Sequence, residues 1–255
     1  MKLQLLVLLP VLALANERKF GYVNETPTMP VGQKELEVWN TVRAGGESFT
    51  SSIDQRLEFE VGVGPSTQAS LYLNAGSVRT REGSSSQWKG FSIEVKHQLS
   101  DPAADPIGSA LYLEAGVQPD ELELEGKLLL DKKSGPLTVA FNAVAEGEFE
   151  WEVPPGEKAE LGLEGVPLEA DLGVAWSFST RLALGLEARL TGEYQKSVVE
   201  GVEDWELEGH ALFLGPTLSF GADSWWASTT VLPRLAGIDR ESQAVELRLL
   251  AGFHF

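Results

Sequence analysis

From Glu35 to Phe255, apolar and polar side chains alternate one by one. In Leu57-Glu58-Phe59-Glu60-Val61 every odd position is apolar. Glu121-Leu122-Glu123-Leu124-Glu125 alternates without a break, and Val245 to Phe255 keeps its apolar odd residues on one face. A period of two residues is the pattern of β-strands with one oily and one polar face. No stretch after the first fifteen residues carries the 3.6-residue period of an amphipathic helix. Turn signals divide the alternation into twelve strands, over 34–44, 52–63, 67–78, 88–99, 108–118, 120–131, 136–148, 159–177, 181–196, 203–221, 224–236 and 243–255. The apolar face changes parity twice, between Leu163 and Val166 and between Phe213 and Leu218, where bulges or loop ends are expected.

The first fifteen residues have a different pattern. Lys2 supplies a positive start, Leu3 to Leu12 an apolar run, and Ala13-Leu14-Ala15 a small-residue cleavage site. These are the parts of a secretory signal peptide, too short to be a spanning helix. The mature chain is expected to begin near Asn16, and residues 16–33, with Pro27 and Pro30, to form a short periplasmic lead-in segment before the barrel of 34–255. The sequence has no Cys, so disulfide scaffolds, thiolate metal sites and a lipid-anchored amino terminus are excluded. With 38 Asp+Glu against 20 Lys+Arg and a net charge of −18, the chain lacks the basic surface a nucleic-acid binder needs.

Alternation alone also fits a soluble sheet. Three features turn the oily face outward. The strands mostly run to ten residues or more, enough for the roughly 9–11 a tilted strand needs to cross a bilayer. Tight turns such as Gly64-Pro65-Ser66 and Lys132-Lys133-Ser134-Gly135 alternate with longer polar loops around 79–87, 149–158 and 197–203, as in outer-membrane barrels. Trp88, Trp151 and Trp205 fall at loop ends and Trp176, Trp225 and Trp226 at turn ends, where interfacial girdles lie. Trp39, mid-strand on the polar face, does not fit a girdle. Backbone groups cannot stay unpaired in hydrocarbon, so such a sheet must close. The expected fold is all-β: a closed antiparallel transmembrane β-barrel of about 12 strands.

The closing pattern Leu247-x-Leu249-x-Ala251-x-Phe253-x-Phe255 resembles the carboxy-terminal strand of bacterial outer-membrane barrels. The opening Pro30-Val31-Gly32-Gln33-Lys34-Glu35-Leu36-Glu37-Val38-Trp39 with Arg43, the segment Gly215-Pro216-Thr217 and the Trp225-Trp226 strand are similar to those of uncharacterised transporter-like barrels. The resemblance implies a bacterial outer-membrane location, a lipid surround and recognition of Phe255 and its strand by the barrel-assembly machinery. It transfers no catalytic or binding residues. An autotransporter translocator needs a passenger, which about eighteen residues before the first strand do not supply.

With the polar parity inward, Glu35, Glu37, Asp54, Glu58, Glu60, Glu94, Glu114, Glu121, Glu123, Glu125, Glu146, Glu169, Asp171, Glu187, Glu206 and Glu208 face the lumen. Arg43, Arg56, Lys96, Lys127, Arg189, Arg234 and Arg248 share that face. Two readings stay open. Acidic walls around water favour cations, or the same charges pair across strands and hold the wall. The expected function is a narrow acid-lined channel or transporter-like barrel for small or cationic solutes. Arg56, Glu58, Glu60, Glu94, Lys96, Glu206 and Glu208 are the candidate lining residues. A structural or surface-interaction barrel without a conducting pore is the alternative.

A lipid-modifying enzyme comes third. His210, on the expected polar parity beside Glu206 and Glu208, invites comparison with outer-membrane phospholipase A, but no element resembles that enzyme's Ser and His motif. None of the histidines His97, His210 and His254 belongs to a zinc-binding pair. Asp101-Pro102-Ala103-Ala104-Asp105 is a polar turn and lacks the calcium-loop pattern. No catalytic residue, metal or cofactor is expected, and the barrel is expected to be monomeric.

Overall fold

The structure, a computed structural model, describes residues 18–45, 50–119, 121–152, 160–199, 202–237 and 243–255. The signal peptide expected over 1–15 and the cleavage point before Asn16 lie outside the described residues.

The alternating chain folds into twelve strands: β1 (Lys34–Gly45), β2 (Thr50–Gly64), β3 (Thr67–Arg79), β4 (Ser84–Ser100), β5 (Gly108–Val117), β6 (Glu121–Ser134), β7 (Leu137–Glu152), β8 (Glu160–Ser177), β9 (Leu182–Val199), β10 (Val202–Gly221), β11 (Trp225–Gly237) and β12 (Val245–His254). Each pairs antiparallel with its sequence neighbours, and β1 pairs with β12, so the sheet closes on itself. At the seam Leu36 lies opposite Phe253 and Val42 opposite Leu247. Both strand termini of the barrel lie at the tight-turn end. Gly135, at φ 57°, makes the reversal between β6 and β7, a left-handed conformation that suits glycine.

Side-chain exposure fixes the orientation. Along β2, Leu57 and Phe59 are 39% and 38% exposed, whereas Glu58 and Glu60 are 0% exposed. A water-soluble barrel would show the reverse. An apolar exterior around a polar interior is the arrangement of a membrane barrel. Trp88, Trp151, Trp176, Trp205 and Trp225 lie exposed near strand ends, as expected of a girdle. Trp226 does not. It points inward, fully buried, and its indole N–H donates to Glu35.

The expected bulge near Leu163 is present: Glu148 pairs with Gly165 and Phe149 with Leu163, leaving Glu164 unpaired in the ladder. The parity change between Phe213 and Leu218 has another cause. The β9–β10 register runs unbroken there, and Phe213 is an inward-facing apolar residue packed with Tyr22 and Leu232. The shifts fall instead between Leu207 and Gly209, and between Leu212 and Phe213 on the β11 side.

The lead-in segment, expected as a short periplasmic stretch before the barrel, folds into the lumen at the turn end from Arg18 onward. Phe20 is buried against Val23, Ala140 and Ala175. Glu187 accepts the amides of Gly21, Tyr22 and Val23 at 2.8, 2.8 and 3.1 Å. Asn142 exchanges two hydrogen bonds with the Asn24 backbone. Asp131 accepts the Thr26 hydroxyl at 2.6 Å, and Gln68 accepts the Met29 amide at 3.1 Å. The segment therefore sweeps around the inner wall from β9 past β7, β6 and β3, satisfying its backbone groups with lumen side chains.

Candidate functional site

Above this segment the loop-end half of the lumen opens into two polar cavities of about 380 and 920 Å3. They share Arg43, Glu125, Glu146, Glu169 and Arg189 in their walls and so form one vestibule. Its floor is a layer of stacked cations and aromatic rings. The Arg248 guanidinium lies 3.8 Å over Tyr22, Arg56 lies 4.0 Å over Tyr72, and Arg18 lies 4.4 Å over Trp39. Such stacking holds guanidinium groups where water is scarce. Trp39, which fits no girdle, belongs to this floor.

The walls are charged unequally. On β6 and β7 three carboxylate pairs stand directly opposite one another: Glu121 and Glu150, Glu123 and Glu148, Glu125 and Glu146. Like charges placed this way destabilise a sheet. Lys127 reaches Glu125 at 3.0 Å, and Gln118 hydrogen-bonds Glu123. Glu146 and Glu148 have no ion-pair partner among the described residues. Across the ring, β1, β2, β4 and β12 carry Arg43, Arg56, Lys89 and Arg248. These cations are mostly engaged. Arg43 pairs with Asp54 and Glu246, Arg56 with Glu114, and Lys89 with Asp54 at 2.6 Å. Arg189 bridges Glu169 and both oxygens of Glu246. Cross-strand pairing thus engages Arg43, Arg56 and Lys89, while Glu146 and Glu148 of the β6–β7 ladder face the cavity without an ion-pair partner among the described residues.

The residues singled out from sequence separate into three places. Arg56 lines the vestibule. Glu58, Glu60, Glu94 and Lys96 do face inward, but they are buried in the turn-end half, away from both cavities. Glu206 and Glu208 are exposed at the loop end of β10 and border the larger cavity. The register shift after Leu207 sets His210 opposite Gly192, while its neighbour Ala211 pairs with Thr191 and is buried in the lumen. His210 is therefore on the outer parity, and the expected lumen placement is corrected. Sequence reasoning passed over Glu148, the last residue of the predicted seventh strand, Glu150, two residues beyond it, and Lys89, one residue into its strand.

Outside the spanning strands, the turn after β4 forms as expected. Asp101 Oδ1 accepts the amides of Ala103 and Ala104 at 2.7 and 3.0 Å. These two amides hold its carboxyl below the usual range.

Two solved structures share this architecture. An outer membrane channel from Pseudomonas putida F1 superposes with a TM-score of 0.65 at 12% identity, over 91% of this chain and 98% of that one. A KdgM porin in complex with disordered oligogalacturonate superposes with a TM-score of 0.51 at 9% identity, over 87% and 99%. At these identities the likeness is one of fold: the barrel is of the kind found in outer-membrane channels and porins. No curated protein matches the chain. A family model described as a family of unknown function (DUF6662) matches residues 12–249.

Proposed function

The chain belongs to DUF6662, and we propose that it is a channel or transporter-like barrel of the bacterial outer membrane, drawing small cationic solutes into its loop-end vestibule. The observation that carries this reading is the β6–β7 ladder of opposed carboxylates. A wall of carboxylates without cation partners in a narrow cavity raises the local concentration of cations. Opposite, Arg43, Arg56 and Lys89 are tied into ion pairs and Arg248 is stacked on Tyr22, so they compete little for that role. Glu206 and Glu208 at the rim extend the same negative potential outward. The carboxy-terminal strand ending in Phe255 serves, in this reading, as the assembly signal, and lipid surrounds the apolar wall.

The test is ion selectivity in planar bilayers. The wild-type barrel should pass or bind cations over anions, and Glu146→Gln with Glu148→Gln should weaken that preference. Anion preference in the wild type, or a preference indifferent to the ladder, would overturn the proposal. One observation favours the second reading, a barrel with no conducting path: residues 18–33 occupy the turn-end half of the lumen. Absence of conductance both in the wild type and after release of that segment would support it.

A further inference from the structure

We propose that the barrel pairs with a second copy of itself through the outer face of β12, β1 and β2, in place of the monomer expected from the sequence. The outward residues of β1 and β2 are apolar along most of their length, with Val38 and Val42 on one strand and Ile53 and Leu57 on the other. One rung breaks the pattern: Asn40, directly opposite Gln55. Both amides lie on the outer parity. The chain neighbours of Asn40, Trp39 and Thr41, are buried on the lumen side, and those of Gln55, Asp54 and Arg56, make ion pairs inside the barrel.

The register places this rung between the two girdles. Followed through hydrogen-bonded partners, Asn40 is three strands from Trp88 in one direction. In the other direction it is five strands from Trp176. Strands in a barrel are tilted, so such a row climbs the wall as it goes round. It begins at a turn-end tryptophan and ends at a loop-end one, and the amides fall in the apolar band between.

The pair is half satisfied. Gln55 Nε2 donates to Asn40 Oδ1 at 3.0 Å. The Asn40 Nδ2 group and Gln55 Oε1 then have no hydrogen-bond partner among the described residues. An acyl chain offers neither a donor nor an acceptor, and leaving amide hydrogen bonds unmade in hydrocarbon is costly. The free donor and the free acceptor stand side by side, so the rung is complementary to itself. A twofold axis parallel to the barrel axis, passing beside β1 and β2, sets Asn40 against Gln55 of the partner subunit, and the reverse contact follows by symmetry. Next to Asn40 the face is hollowed into a groove of about 400 Å3, lined in part by Val38, Leu249, Ala227 and Ala251. Ala227 and Ala251 stand opposite one another. Small side chains of this kind let two membrane walls come close.

The test uses the full-length barrel folded into lipid vesicles at high dilution. The chain has no native Cys, so single cysteines report on contact. Val42→Cys, two residues along β1 from Asn40, should be joined into dimers by a short bis-maleimide. Leu128→Cys, exposed on β6 at the far side of the barrel, should not. Light scattering in mild detergent should give twice the chain mass. Asn40→Leu with Gln55→Leu keeps the face apolar, so the barrel should resist urea at least as well as wild type. Its dimer dissociation constant, read from Val42→Cys cross-linking on dilution, should nevertheless rise about tenfold or more, the effect of losing two interchain amide bonds. If the double variant does not fold, the wild-type mass and the contrast between the two cysteines still decide. Monomers at every dilution, or equal cross-linking at both cysteines, would overturn the proposal and leave lipid against the amides. A dimer whose dissociation constant is unchanged in the folded double variant would put the contact elsewhere and also overturn it.

Discussion

Glu187 holds Tyr22 by its backbone: Oε2 of the β9 carboxylate accepts the Tyr22 amide at 2.8 Å and Oε1 accepts the Gly21 amide at 2.8 Å, with Val23 completing the set. Successive amides converging on one anion form a nest. Removing the carboxylate leaves three donors buried without an acceptor, each costing about 1–3 kcal/mol. Glu187→Ala should therefore loosen the lumen segment while the barrel persists. The chain has no native Cys, so a single Tyr22→Cys reports on the segment. Its maleimide labelling should be at least about tenfold faster in the Glu187→Ala background, the effect of about 1.4 kcal/mol. An unchanged rate would mean that other contacts hold the segment.

Gly173 makes room for Phe20. A Cβ at this position would lie 2.7 Å from Phe20 Cε1, well inside van der Waals contact, and the ring has Ala140 and Ala175 on its other sides. Gly173→Val should displace Phe20 and with it the segment. Conductance in planar bilayers should rise relative to wild type if the segment is the obstruction. Adding Phe20→Ala should restore the stability lost to the clash, read as the urea midpoint of unfolding.

The barrel was legible because one physical rule, period two, governs every strand. Leu57, Phe59, Leu124 and Leu249 are exposed, and Glu58 and Glu60 are buried, as parity requires. Twelve strands follow, with bounds within a few residues. The lumen segment was not legible, because residues 18–33 have no period: their hydrogen bonds go to Glu187, Asn142, Asp131 and Gln68, partners far away in sequence. The only local hint is Phe20, Tyr22, Val23 and Met29 in a segment otherwise read as polar. Trp226 was misread for a related reason. Position at a strand end marks a girdle Trp, but parity decides its face, and Trp226 has the parity of Thr230 and Leu232. For the site residues, parity gives the face but not the depth, so Glu58 and Glu60 were grouped with Arg56 although the segment separates them from the vestibule.

Arg189 carries the heaviest electrostatic duty in the vestibule. It donates from Nη1 to both oxygens of Glu246 at 3.0 Å and from Nη2 to Glu169. Glu246 is fully buried, with Arg43 as its other cation at 3.4 Å. Truncating one partner of a buried ion pair costs about 3–5 kcal/mol, because it leaves an uncompensated charge. Arg189→Met should lower stability by that order in urea unfolding from lipid vesicles. Pairing it with Glu246→Gln should recover part of the loss. If the single variant matches wild type, water in the vestibule screens these charges and the pair is not structural.

The outward face is testable at Leu57. It sits mid-strand in β2, opposite Val38 on β1 and Leu73 on β3, all exposed on one apolar band. If that band meets hydrocarbon, Leu57→Arg should cost about 2–4 kcal/mol of folding free energy into a bilayer, the cost of a guanidinium near the midplane. Glu148→Arg introduces the same group into the polar vestibule, where it relieves the opposition to Glu123. It should leave folding close to wild type and move ion preference toward anions. The comparison separates a membrane barrel from a soluble one, because a soluble barrel with the same strands would tolerate arginine at Leu57. Equal stability for both variants would place Leu57 outside the hydrocarbon and remove the basis for a spanning orientation.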